Sequence, residues 1–514
     1  MMSDRRRIWV LAGVVMLLTM IPYLLGYASQ GADWQFTGYL IGVEDGNSYI
    51  AKMRRGAVGD WLFRTPYSAQ HQEGVFLYSY VLVLGKLTAP PAQHEQMVAV
   101  FHLFRVFAGM LMIVATWDFL GLFVTDSALR RWGTLFGTLG GGLGWLLAVT
   151  GWLGDLPLDF YSPEAFGFLA LFTLPHIALA RALMLWGLLV WLRDADKAWL
   201  AGLLWVGAAL FQPLTIVTGS VMVAGFVAWL GIWAWRLGTW STWWGWVRRA
   251  VVLGAISSPL VLWTVWKLST DSLLRQWAAQ NALASPPVWH YLAAYALVLP
   301  FAWRGFRSLF RRTEPDDTQW LPLVWVLLFL PLVYAPVSIQ RRLLEGVWVM
   351  WTVLALWGLR GLASSWRRGL LAVSLLSTLF LFAGSLLTAS QPSFPTFRPR
   401  TQVESFTWLE KNALPDSVVL TSFPTGNALP AFAPVYVVMG HGPETFGLAE
   451  IRPDVEKFYS GKLTSDEQIA LLIHWGVDYV VWGDAEREFG TFSAVDHPYL
   501  LPVATDVYRV TLGD

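Results

Sequence analysis

Cysteine is absent from the 514 residues, and charge is scarce: Asp, Glu, Lys and Arg together make 14% against 55% hydrophobic residues. The first absence excludes disulfides, thiolate metal sites and cysteine nucleophiles. The second sets the class, because a soluble domain carries about 25% charged residues, so the composition is that of an integral membrane protein. The formal net charge is only +1, which leaves no basic footprint for nucleic acid. Also missing are the HExxH zinc motif, the nucleophile elbow, the EF-hand loop, a phosphate-cradling loop and a tandem repeat. What the chain has in quantity is tryptophan, 32 residues, many near the ends of apolar runs where indole sits at the headgroup level.

Apolar windows of spanning length fall at 8–28, 96–124, 130–150, 166–192, 197–216, 217–236, 250–268, 288–304, 320–337, 343–360 and 369–390. The first follows Arg5-Arg6-Arg7 and reads as an uncleaved span rather than a signal peptide. If the short run 74–90 lies on the outer surface instead of crossing, Arg130/Arg131, Arg193/Lys197, Arg236/Arg248/Arg249, Arg304/Arg307/Arg311/Arg312 and Arg360/Arg367/Arg368 all fall on the cytoplasmic side. The expected fold is therefore an α-helical polytopic membrane protein with about eleven spans, its N-terminus cytoplasmic. Composition changes after Ser390, where a Pro-rich linker leads to a soluble α/β domain, so the expected domains are 1–390 and 391–514. SVVLTS and DYVVWG read as its buried strands, VESFTWLEKNA and TSDEQIALLIHWG as its helices. An odd span count puts this domain outside.

The polar stretch most suited to chemistry opens the first outer loop. It carries Glu44 and Asp45, Tyr49, Arg54, Arg55, Asp60, Arg64, His71 and Glu73. Other candidates are Asp155, Asp159 and Glu164 in a later outer loop, where Glu164 equally fits an ordinary helix start, and His176 and Arg181 in the span that follows. An intramembrane Arg must face protein or water. Gln340-Arg341-Arg342 breaks the charge rule by placing a guanidinium pair on the outer face, suited to a phosphate. In the soluble domain SFPTGNALPAF and VVMGHGPETF read as loops, with His441 and Glu444 as the residues to test.

The order Asp45, Tyr49, Gly59-Asp60-Trp61, His71 and His102/Arg105 after one span resembles the GT-C superfamily of membrane glycosyltransferases, in particular the protein mannosyltransferase and aminoarabinose transferase-like branch. The resemblance rests on residues 1–125 by motif and on the remainder by topology. It implies juxtamembrane helices in the first outer loop and an inverting sugar transfer from a polyprenyl-phosphate donor to a glycan, lipid or protein acceptor, at the outer face of the cytoplasmic membrane. Asp45 would be the base that takes the acceptor proton, with cations on the leaving phosphate. Arg341 and Arg342 are candidates for those cations, as are Arg54, Arg55 and Arg64; Tyr49, His71, Glu164, His176 and Gln340 join them as candidate substrate contacts. A divalent metal is the only cofactor implied, with Glu44, Asp45 and His71 as candidate ligands. The branch carries its second acid directly after the aspartate; here Glu44 precedes it and Gly46 follows, leaving open which acid is the base. A transporter or flippase for a lipid-linked saccharide, and a GT-C-like protein without activity, are the rival readings; no inverted repeat favours the former.

Overall fold

A computed structural model describes residues 4–311 and 316–512; Arg312 of the basic cluster lies outside the described residues. Among these, seven helices are long and apolar enough to cross a membrane: Asp4–Ser29, Gln93–Leu120, Ser127–Thr150, Pro175–Arg193, Pro213–Leu237, Trp240–Thr270 and Ser364–Ser390. Four further windows fold as helices too short to span alone. The 197–216 window stops at Phe211, because the residue before Pro213 leaves the helical region, with Gln212 at φ −150°. The 288–304 window divides into Val288–Tyr295 and Leu299–Phe310, the second starting with Pro300 in its first turn. Leu321–Val333 and Val347–Gly358 complete the four. At ~1.5 Å per residue such helices fall well short of a core of about 30 Å. The run 74–90 contributes only the helix Ser79–Gly85, which cannot cross.

The chain forms two compact units that alternate along the sequence. The first comprises 1–20, 103–266 and 282–384; the second comprises 21–102, 267–281 and 385–514. The boundary expected at residue 390 is thus displaced: the C-terminal segment packs with the first outer segment and with 267–281 as one body. The reason is apolar burial, since Ile50, Met53, Val81 and Phe101 share a core with Val419, Leu429 and Val437.

In the first unit the helices Leu299–Phe310 and Val347–Gly358 touch through glycines. A Cβ on Gly305 would stand 1.9 Å from the Leu354 carbonyl, and one on Gly358 would stand 1.9 Å from that of Phe301. Small residues at such crossings are the usual device where no hydrophobic effect drives helices together. Arg181 is buried against Glu345 and donates to the carbonyls of Pro163 at 2.7 Å and Phe166 at 3.2 Å. It faces protein, as an intramembrane arginine must.

The second unit is built on a five-stranded sheet of order β4-β3-β5-β7-β6, with β3 Val418–Leu420, β4 Tyr436–Val437, β5 Tyr479–Val481, β6 Leu500–Ala504 and β7 Val507–Val510. β3 runs parallel to β4 and β5, and β7 antiparallel to β5 and β6. A smaller antiparallel pair joins β1 Trp34–Phe36 to β2 Phe397–Pro399. The two strand segments read from sequence are β3 and β5, and the two helices are Arg400–Asn412 and Ser465–Trp475. The latter is fixed at both ends by its own residues: Thr464 and Glu467 exchange capping bonds, and Gly476 at φ 59° ends it. SFPTGNALPAF, read as a loop, is instead the helix Phe423–Phe432, started by Pro424 in its first turn and buried along nearly its whole length.

Candidate active site

Glu44 and Asp45 lie in the first turn of a helix, Val43–Ala57, rather than in a loop. The helix begins after Gly42 in the left-handed region (φ 63°) with no side-chain cap. Two carboxylates over its orphan N–H groups are the charge that end of a helix favours. From Gly46 to Gly56 the helix is buried apart from Tyr49, which is half-buried, so the acids form its one open end. Gly46 explains the displaced acid: a Cβ there would meet the Tyr39 ring at 2.3 Å, so the position cannot hold a carboxylate side chain.

The loop after β4 brings His441 to this end. Its Nε2 is 3.3 Å from Asp45 Oδ1, and its ring packs beside Tyr67 at 5.4 Å between centroids. The Asp45 side chain is 65% exposed and that of His441 only 5%. Glu44 turns its carboxylate to the same loop and accepts from the Gly442 N–H at 2.9 Å. Behind His441, with Nδ1 at 3.7 Å, lies Glu444, itself buried. Glu444 accepts from Lys52 Nζ at 2.5 Å, Ser48 Oγ at 2.8 Å and Thr65 Oγ1 at 3.0 Å. Lys52 also bonds Ser48, one turn away on the same helix face, and sits 4.5 Å over the Tyr78 ring.

These contacts set the protonation states. Burial pushes His441 down, but the Glu444 charge and the bond to Asp45 outweigh it, and its pKa is raised above the ordinary value. Burial pushes Glu444 up, yet the ammonium of Lys52 and the imidazole of His441 hold it below the usual carboxylate range. A buried cation thus keeps a buried anion ionised, and that anion lies 3.7 Å behind the imidazole that faces the exposed aspartate.

Asn427 completes the link between the two helices: its side chain accepts from Asn47 Nδ2 at 2.8 Å and donates to the Glu44 carbonyl at 3.3 Å. Gln280, ending the helix Ser272–Gln280, holds the loop from the other side through Thr445 O at 2.8 Å, Pro443 O at 3.2 Å and the Gly447 N–H at 3.0 Å. Sequence reading misses Lys52, Thr65, Asn427 and Gln280. Only Lys52 carries a local signal, its i, i+4 spacing from Ser48 on the helix that opens with the two acids.

Other sequence candidates are placed differently. Arg54 and Arg55 are buried in the last turn of the Val43 helix, Arg54 on Glu410 at 2.5 Å and Arg55 on Asp60 at 2.8 Å and Asp416 at 2.6 Å. Their guanidiniums tie the helix to the C-terminal segment, which removes them from the side chains open to a ligand. Tyr49 is half-buried and stacks on Phe101 at 5.6 Å. His71, Glu73 and Arg64 are exposed. Among the described residues no group of three or more His, Asp or Glu side chains is gathered for a metal, so Glu44, Asp45 and His71 do not make a preformed ligand set.

In the first unit Glu164 and His176 are buried. Asp159, also buried, accepts from the Gly142 N–H at 2.7 Å. Gln340 spends its amide on Ala335 O at 2.9 Å and on the Ser285 N–H at 3.0 Å, which makes it a loop clamp. Arg341 stands 4.4 Å over the Tyr161 ring, and Arg342 beside it is half-buried.

No family model and no curated protein matches the chain in sequence. Solved structures do match it in fold. The oligosaccharyltransferase of Archaeoglobus fulgidus, tethered with an acceptor peptide, aligns at TM-score 0.55 and 12% identity over 93% of this chain and 69% of its own. The same enzyme has been solved with an inhibitory peptide and a dolichol-phosphate. The mycobacterial arabinofuranosyltransferase AftD aligns at 0.58 and 14%, over all of this chain and 40% of its own. ArnT from Cupriavidus metallidurans aligns at 0.50 and 13%, over 94% and 99%, and has been solved bound to undecaprenyl phosphate. With its apolar helices, this chain is a multi-pass membrane protein that carries the GT-C glycosyltransferase fold.

Proposed function

We propose that the protein is an inverting glycosyltransferase, moving a sugar from a polyprenyl-phosphate donor to an acceptor hydroxyl at the extracytoplasmic face of the cell membrane. The observation that carries this is an exposed carboxylate, Asp45, oriented by a buried imidazole, His441. Asp45 takes the proton of the acceptor hydroxyl as its oxygen attacks the anomeric carbon, and the bond from that carbon to phosphate breaks, releasing polyprenyl phosphate. His441 holds the Asp45 carboxylate in one direction, and the Glu444 charge behind it favours the protonated ring. The contacts favour Asp45 over Glu44 as base, because the Asp45 carboxylate meets the buried His441 ring and that of Glu44 the Gly442 N–H of the loop. The N-terminus is cytoplasmic and the C-terminal segment extracytoplasmic. In support stand the fold and the polyprenyl phosphates bound to two of the similar enzymes.

The test is polyprenyl-phosphate release in detergent from a panel of polyprenyl-phosphate sugars, by wild type and Asp45→Asn. Release by the wild type alone supports the reading. Absence of both turnover and donor binding with every sugar would leave a binding or transport role.

A further inference from the structure

Next to the loop that carries His441 the second unit has an open groove of about 950 Å3, at the upper end of the range for small-molecule sites. Its walls are the helices Ser272–Gln280, Leu448–Tyr459 and Ser465–Trp475, with Gln70 at one edge. The side chains that matter are the amides of Gln70 and Gln276, the carboxylates of Glu450 and Asp454, the imidazole of His474 and the indole of Trp475, the Gln280 amide being spent on the loop. Among the described residues no lysine or arginine lines it. Gln280 belongs both to the groove and to the loop, whose Gly442 N–H holds Glu44. Groove and acidic helix end therefore share one loop.

We infer that this groove binds the acceptor and that the acceptor is a neutral saccharide chain; the inference rests on the glycosyltransferase reading above. The lack of lysine and arginine disfavours a phosphorylated or other anionic ligand. Carboxylates are pure acceptors and carboxamides both donate and accept, which suits the hydroxyls of a sugar. An indole offers an amphipathic face for the apolar side of a pyranose or furanose ring. All three walls are helices whose backbone bonds are internal, so the groove offers no strand edge for main-chain pairing with an extended peptide. The groove has room for more than one ring, so it reads a chain rather than a single sugar.

The experiment uses the full chain in detergent, titrated with linear mannose and arabinose tetrasaccharides and with octalysine, in wild type, Trp475→Ala and Glu450→Gln. Glu450 is exposed, so its variant keeps the test valid if Trp475→Ala does not fold. The expected result is binding of at least one tetrasaccharide, weakened about tenfold or more by each variant, through loss of a bond to a charged group in Glu450→Gln and of the stacking face in Trp475→Ala. Octalysine bound in place of saccharide, and released by Glu450→Gln, would overturn the inference in favour of a basic peptide. Saccharide binding that neither variant weakens, or no binding at all, would overturn it as well. Polyprenyl-phosphate release in the same preparation separates the two readings. Saccharide binding without donor turnover sinks the enzyme and leaves the groove, whereas donor turnover without saccharide binding does the reverse.

Discussion

His441 Nε2 stands 3.3 Å from Asp45 Oδ1 across 396 positions of sequence. If this contact orients the base, Asp45→Asn abolishes the proton acceptor while leaving the fold intact. Release of polyprenyl phosphate then falls by about 10²–10⁴-fold, with donor binding retained. Because Asp45 is largely exposed, the unfolding free energy from chemical denaturation stays within about 0.5 kcal/mol of wild type. Unchanged turnover would transfer the role to Glu44.

His441→Ala lowers kcat by a smaller factor than Asp45→Asn, and His441→Gln, whose amide can still donate, recovers part of the loss. The double variant Asp45→Asn/His441→Ala is no slower than Asp45→Asn alone, since His441 acts only through the carboxylate. Additive losses in that cycle would mean that His441 works independently.

Lys52→Met leaves the buried Glu444 without the ammonium that keeps it ionised. Breaking a buried pair on one side costs about 3–5 kcal/mol, readable as a lowered denaturation midpoint. Glu444→Gln in the same background restores part of it. A loss below about 1 kcal/mol would show that the pair is solvated.

Stability also depends on pH through Glu444. Its folded pKa lies below the ordinary 4.5, so its contribution is present above that value and is lost as pH falls through the lower, folded one. The midpoint difference between wild type and Glu444→Gln, measured from pH 7 down to pH 3, therefore shrinks at the acid end. A difference that is constant with pH would contradict this.

Gly46→Ala places a methyl 2.3 Å from the Tyr39 ring and destabilises by about 1–3 kcal/mol. Tyr39→Ala in the same chain relieves much of that clash. Gly46→Asp, which restores the acid order of the resembling branch, fails to raise turnover for the same steric reason.

Much of this was legible in the chain itself. Composition alone decides for a membrane protein, because a core this apolar has no soluble alternative. The strands Val418–Leu420 and Tyr479–Val481 and the helix capped by Thr464 and Glu467 follow from local pattern, since strand burial, capping bonds and a glycine stop are all short-range. Asp45 and His441 can each be singled out from their surroundings in sequence. What sequence cannot give is their meeting. Only tertiary packing decides that residues 21–102 and 385–514 form one body, because that contact comes from apolar faces with no pattern linking one to the other. The same packing turns Arg54 and Arg55, polar in sequence, into buried struts, and makes Lys52 the counter-charge of an acid 392 positions away. Local periodicity fixes which elements exist; long-range burial fixes which side chains they hold together.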